Sequence, residues 1–343
     1  MPSAADRIHA EISAAGGAIP FRRFMELALY GAGGFYSGVG SAGRRGDFIT
    51  SPEVGPLFGT VLARAIDTWW QEMGAPADFT VVEAAAGPGT LARSILAARP
   101  SCLRDGRYVA VEVSVAQRER QPDGVESRST MPDAPFIGVI IANELLDNLP
   151  FDIAVFEGGW CEAWVASSGD RFVEVLRPFD VVPSVLPTSA PHGARAPIQR
   201  TAQVWLADAL SRLARGRVLL FDYCTPITAN AVLMPWREWL RTYVKHERGG
   251  HYLVNPGAQD ITTQVMLDQL ESVAVPETIR TQAQFLQLWG IDEFVEEGRR
   301  AWDAAAAQPD LAAMKMRSRI SESKALLDTN GLGGFTALTY RTG

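Results

Sequence analysis

The 343-residue chain is 47% hydrophobic and 21% charged, a globular composition long enough for one elaborated domain or two smaller ones. A formal charge of −7, from 32 basic and 39 acidic side chains, argues against a general nucleic-acid binder. Cys102, Cys161 and Cys224 show neither metal-ligand spacing nor a disulfide framework, and no 18-residue apolar run suggests a membrane span.

From the first residues onward, helical spacing covers Ala4 to Ala15 and again Phe21 to Tyr30, after Pro20. Asp6 and Glu11 interrupt any apolar signal core, so the expected compartment is the cytoplasm, or the mitochondrial matrix in a eukaryote. A glycine-rich loop with Phe35 and Tyr36 leads through Arg44 and Arg45 to Asp47. Thr50 and Glu53 have capping-box spacing, with Pro52 in the first turn, and predict a helix running to about Met73.

At Phe79 the pattern changes. The apolar run to Val82 ends in Glu83, the glycines Gly87 and Gly89 follow, and a helical run begins at Thr90. Strand, tight turn and helix open a doubly wound, Rossmann-like α/β sheet. Gly87-x-Gly89-x-x-Ala92 fits the loose dinucleotide fingerprint, and Glu112 ends the next strand 25 residues on, where an acid can hold ribose hydroxyls. A nicotinamide cofactor and S-adenosylmethionine both carry such a ribose. Glu83 separates them: a carboxylate there repels a pyrophosphate but suits an ammonium, which favours the methyl donor.

Next come a strand at Phe136 to Ala142, apolar on both faces, and the acidic string Asn143-Glu-Leu-Leu-Asp-Asn-Leu-Pro150. Strand-like pieces at Phe151 to Phe156, Cys161 to Val165 and Arg171 to Leu176 predict an antiparallel meander added to the main sheet. After a Pro-rich connection, a helix from Gln199 to Leu213 and a strand from Arg217 to Asp222 resume the alternation. Thr225 to Gly257 is irregular and reads as an insertion over the site. Asp260 to Val273 looks largely helical, and helices and a last strand, Phe335 to Arg341, complete the chain. The expected division is a helical cap over 1–75 and a catalytic domain over 76–343, with an insertion at about 225–300.

Several motifs stand in a recognisable order. They are Phe24-Met-Glu-Leu-Ala-Leu-Tyr30, Gly46-Asp-Phe-Ile-Thr-Ser-Pro-Glu53, Glu83…Gly87-Pro-Gly-Thr90, Ala142-Asn-Glu-Leu-Leu-Asp-Asn-Leu-Pro150, Phe221-Asp-Tyr223 and Asn255-Pro-Gly-Ala-Gln-Asp-Ile-Thr262. From about residue 20 to 340 the chain resembles the MidA family of class I S-adenosylmethionine-dependent methyltransferases, which includes the mitochondrial complex I assembly factor. The resemblance implies methylation of a protein arginine, in the mitochondrial member on a subunit of the respiratory NADH dehydrogenase. It implies a protein substrate, no nucleic acid and no membrane insertion. One departure concerns the turn: Ala85 stands where the family usually has glycine. If that position needs φ > 0, its Cβ costs about 1 kcal/mol.

Arginine methylation needs a rigidly held sulfonium, an acceptor nitrogen in line with its methyl, and anions orienting the guanidinium. Glu144 and Asp147, just past the central strand, are the candidate carboxylates, with Asp47 a third; a carboxylate holds a guanidinium bidentately. Asn143 capping a helix, with both acids as favourable charge in its first turn, is the structural alternative. Glu83, Gly87, Gly89, Glu112 and Asn143 are assigned to the cofactor, and Asp222, His246 and Asp260 to the substrate side. Four histidines without metal spacing predict no metal site. A nicotinamide-dependent oxidoreductase and a noncatalytic assembly chaperone remain the competing readings.

Overall fold

The computed structural model describes residues 2–37, 50–244, 247–308 and 310–343. The chain forms two compact units: Ile49–Asn143, Ala209–Phe221 and Pro276–Gly343 make one, and Met1–Phe48, Glu144–Asp208 and Asp222–Val275 the other. This grouping is drawn differently from the expected cap over 1–75 and catalytic domain over 76–343. Each unit takes segments from three parts of the chain.

The first unit is built on a seven-stranded sheet of β1 (Thr80–Ala84), β2 (Arg107–Val111), β3 (Glu126–Arg128), β4 (Phe136–Asn143), β5 (Leu213–Asp222), β6 (Thr278–Thr281) and β7 (Thr336–Thr342). Their order is β6-β7-β5-β4-β1-β2-β3. The pairs β1–β2, β1–β4, β2–β3 and β4–β5 are parallel, and β6–β7 is antiparallel. This is the mixed, mostly parallel α/β sheet the alternation predicts. The strand order reverses between β1 and β4, the switch point outside which open α/β sheets bind ligands.

Local chemistry accounts for these elements. β4 is buried along nearly all its length, as a central strand flanked on both faces must be. Gly138 and Gly216 let neighbouring strands approach: a Cβ on Gly138 would overlap the Thr80 carbonyl, and one on Gly216 the Gly138 carbonyl. Phe58 and Phe285 both pack edge-on against Phe221, with ring centroids 5.2 Å apart in each pair, and seal the core.

The capping box at Thr50 and Glu53 forms as expected. The helix it opens stops at Val54, because a residue before proline disfavours the helical conformation, and α1 (Pro56–Glu72) restarts at Pro56. The Glu322 carboxylate accepts the Leu57 amide at 2.8 Å and caps this second start with negative charge.

The second unit holds the predicted meander, but in a sheet of its own. Strands Asp152–Phe156, Trp160–Ser168 and Arg171–Pro178 are joined by Ala18–Pro20 and Arg195–Ile198. The expectation that they extend the main sheet is corrected: segments from the N-terminal region and the Pro-rich connection satisfy their edges instead. Asp260–Thr263 is likewise a strand, antiparallel to Leu240–Val244, not the start of a helix. Its alternating burial, with Ile261 and Thr263 inward, has the two-residue period of a strand. Helix follows only at Leu267–Glu271. Beneath the five-stranded sheet, Phe21 packs on Phe151 and Tyr252 at 5.4 and 5.0 Å between centroids.

Candidate functional site

The candidates assigned to the cofactor lie on the seven-stranded sheet. Glu83, the penultimate residue of β1, is 6% exposed. The Tyr108 hydroxyl donates to its Oε2 at 2.6 Å. Burial first, and the nearby charge of Glu112, push the Glu83 carboxyl up to about 7, against the pull of Tyr108 and the Ala92 amide.

Beyond Glu83 the chain turns through left-handed conformations at Ala85, Gly87 and Gly89, with φ of 54°, 52° and 76°. A Cβ built on Gly87 meets nothing within 4 Å, so this backbone faces open space of the kind a close-lying ligand needs. Glu112 is held rigidly beside it: Oε2 accepts the Gly87 amide at 3.0 Å and Oε1 the Ser114 amide at 2.8 Å. Each carboxylate oxygen keeps a second lone pair for a hydroxyl.

Ala85 does occupy a left-handed position, the condition on which its Cβ costs energy. Ala85→Gly is therefore expected to raise unfolding free energy by up to about 1 kcal/mol in a urea titration, less the chain entropy glycine adds to the unfolded state. A decrease would mean the Ala85 methyl packs usefully in the turn.

The candidate carboxylates form a separate cluster in the other unit. Asn143 closes β4 and is covalently followed by Glu144, which has φ of 51° and is buried. A non-glycine residue held left-handed and buried is a strained position of the sort that collects at functional sites. The chain then makes a single 3-10 turn, Leu146–Asn148, entered from Leu145. Asn143 therefore does not cap a helix, and the placement of Glu144 and Asp147 in its first turn is not realised.

Asp222 organises this turn. Its Oδ2 accepts the amides of Leu146 and Asp147 at 2.9 and 3.3 Å, and its Oδ1 that of Tyr223 at 2.8 Å. Burial and the Glu144 charge push the Asp222 carboxyl up to about 8. The Tyr223 phenol is pushed far above its ordinary range, by burial and then by Glu144, Asp147, Tyr243 and Asp222. Three buried carboxylates and a second phenol thus act electrostatically on the Tyr223 phenol.

Asp260 belongs to a brace behind the turn. Tyr36 donates to its Oδ1 and Oδ2 at 2.9 and 3.0 Å, and the Asn148 side-chain amide to Oδ1 at 3.1 Å. Tyr30 in turn donates to the Asn148 carbonyl at 3.0 Å. Sequence reasoning missed Tyr108, Asn148 and the two tyrosines. Their one signal was their place inside or beside the quoted motifs. Asp47 and His246 lie outside the described residues. Among the described residues no cluster of His, Cys, Asp or Glu could hold a metal, and no helix is long and apolar enough to cross a membrane.

Residues 61–284 match the model of a family described as S-adenosyl-L-methionine-dependent methyltransferases. A Drosophila melanogaster protein named "Protein arginine methyltransferase NDUFAF7 homolog, mitochondrial" is 25% identical over 315 residues, spanning 79% of this chain and 70% of its own. Two Burkholderia thailandensis crystal structures are similar throughout. One, bound to S-adenosyl-homocysteine, is 26% identical with a TM-score of 0.83, over 99% of this chain and 92% of that one. The other, in native form, is 28% identical with a TM-score of 0.82, over 99% and 91%.

Proposed function

Because the chain belongs to the family of S-adenosyl-L-methionine-dependent methyltransferases and uses that cofactor, we propose that it methylates an arginine side chain of a protein partner. The observation that carries this reading is the cluster of Glu144, Asp147 and Asp222, three carboxylates each less than 10% exposed. A guanidinium satisfies several carboxylate oxygens at once through its planar fork of donors, which suits it to a cluster of acids. The Drosophila relative's name points to the same acceptor type. By resemblance, the partner proposed is a subunit of the respiratory NADH dehydrogenase.

The cofactor supplies an electrophilic methyl group on a sulfonium. In this reading Glu83 holds its ammonium, Glu112 its ribose hydroxyls, and Gly87 and Gly89 let the backbone lie close, with Asn143 at the neighbouring strand end. Glu144 and Asp147 orient the acceptor guanidinium, and Glu144 takes the proton that the methylated nitrogen gives up. Asp222 keeps the turn that carries Asp147 in place through the amides it binds. Mass spectrometry of partner proteins incubated with the enzyme and isotope-labelled cofactor tests this: label belongs on arginine, and label confined to another residue type would overturn it.

The role of Glu83 makes a pH prediction. Its folded value near 7 lies above that of an unfolded glutamate, so the free protein holds this proton at mildly acidic pH. The stability that proton confers is full below the unfolded value and is lost as pH rises through about 7. An ammonium beside Glu83 favours the carboxylate and expels the proton. Cofactor affinity measured by calorimetry is therefore expected to rise about tenfold per pH unit up to pH 7 and to level off above it. Glu83→Gln should flatten the profile; a flat wild-type profile would place the ammonium elsewhere.

A further inference from the structure

Glu83 and Tyr108 stand on the neighbouring parallel strands β1 and β2. In their register Val81 lies beside Tyr108 and Glu83 beside Ala110, so Tyr108 is two positions off Glu83 and shares its face of the sheet. The phenol spans that diagonal, and its hydroxyl donates to Glu83 Oε2 at 2.6 Å. The ring belongs to the same apolar cluster as Phe79, Leu91 and Ile95 and is 2% exposed, so packing holds it still. Burial, and then Glu83 itself, push the phenol well above its ordinary range, which keeps it a donor across neutral pH. The amide of Ala92, in the first turn of the helix Thr90–Ala98, is a second donor to Glu83. Glu112 is the neighbouring charge that opposes its ionisation.

We infer that Tyr108 positions Glu83 for the cofactor's ammonium: its hydroxyl pins one carboxylate oxygen and favours the ionised form that an ammonium binds. The inference rests on the assignment of Glu83 to the ammonium and adds the group through which that assignment works. A hydrogen bond to an ionised acceptor is stronger than one to a neutral acid, and a low-dielectric surrounding widens the difference. The phenol therefore opposes the two influences that protonate Glu83, burial and the charge of Glu112. It also leaves the carboxylate little freedom to rotate, because the donor sits on a ring fixed in the core. Tyr108 acts through Glu83 in this account and is a positioning residue, with no contact of its own to the reacting atoms.

The probes are S-adenosyl-homocysteine and methylthioadenosine, which keeps the nucleoside and thioether but lacks the ammonium. Both are titrated calorimetrically into the full chain between about pH 6 and pH 8.5. The wild type is expected to bind S-adenosyl-homocysteine more tightly as pH rises and methylthioadenosine equally at every pH. Tyr108→Phe keeps the ring in the core and removes the one hydrogen bond. Its S-adenosyl-homocysteine affinity should be about tenfold below wild type at pH 6 and within about threefold of it at pH 8.5, as for a carboxyl whose value has risen by about one unit. Its methylthioadenosine affinity should stay within about threefold of wild type throughout. In a Glu83→Gln background, Tyr108→Phe should add no more than about a twofold change, because the group it acts through is gone. A Tyr108→Phe profile superimposed on the wild type would overturn the inference and leave the ammonium assignment standing. So would equal weakening of both ligands at every pH, or a full further loss in the Glu83→Gln background, since either would place the effect of Tyr108 elsewhere. A wild type whose S-adenosyl-homocysteine profile is as flat as that of methylthioadenosine would overturn the assignment of Glu83 itself, and the inference with it.

Discussion

Glu144→Gln is expected to lower kcat/KM for the protein acceptor by about two to three orders of magnitude, the usual cost of removing one preorganised group that stabilises developing charge. Glutamine keeps the length and shape of the side chain, so the left-handed backbone at residue 144 and the turn behind it should persist. What disappears is the anion that concentrates charge on the contacted guanidinium nitrogens and receives the departing proton. The S-adenosyl-homocysteine dissociation constant should stay within a few-fold, since none of the residues assigned to the cofactor is touched. Stopped assays with labelled cofactor, paired with calorimetry on the same preparation, separate the two effects. Retained turnover would remove Glu144 from the chemistry and leave it a strained structural residue. A scaffold protein without turnover would show no labelled arginine in either variant.

Glu174→Ala should cost about 1.5–3 kcal/mol of unfolding free energy, the range for losing hydrogen bonds to a charged group, here one that is half-buried. Arg195 reaches the Glu174 carboxylate with two nitrogens at 2.7 and 2.6 Å, and the Tyr252 hydroxyl donates to it at 2.5 Å. Burial pushes the Glu174 carboxyl upward, yet the bonds from Arg195 and Tyr252 outweigh it and hold the group below the ordinary range. Its contribution is therefore complete at neutral pH and is lost as the solution is acidified through that depressed value. Alanine leaves the half-buried Arg195 guanidinium without its carboxylate, the costlier half of the exchange. Replacing both partners, Glu174→Met with Arg195→Leu, should recover most of the loss. Urea denaturation of the single and double variants measures the difference. A single variant within 1 kcal/mol of wild type would mean that water reaches the guanidinium.

The parts of this molecule readable from its sequence are those governed by neighbours in the chain. β4 announced itself as central because its residues are apolar at odd and even positions alike. The capping box needed only Thr50 and Glu53, three residues apart, and the left-handed Ala85 stands where the resemblance puts a glycine. What escaped detection depends on partners far along the chain. Asp222 looked like a pocket wall, yet its bonds go to Leu146 and Asp147, some 75 residues earlier. Asp260 looked like the start of a helical stretch, but it begins a strand whose partner lies about twenty residues upstream. The meander was visible as three strands, while its separation from the main sheet was not. That separation depends on Ala18–Pro20 and Arg195–Ile198 arriving at its edges.

The position of β7 bears on how the protein is made. It is the last strand in the chain, yet it pairs with both β5 and β6 inside the sheet. A ribosome finishes β5 more than a hundred residues before it reaches β7, so the nascent sheet carries a bare hydrogen-bonding edge throughout that interval. At translation speeds of about 5–20 residues per second this exposure lasts for several seconds or longer, ample time for a holdase to bind or for two growing chains to join edge to edge.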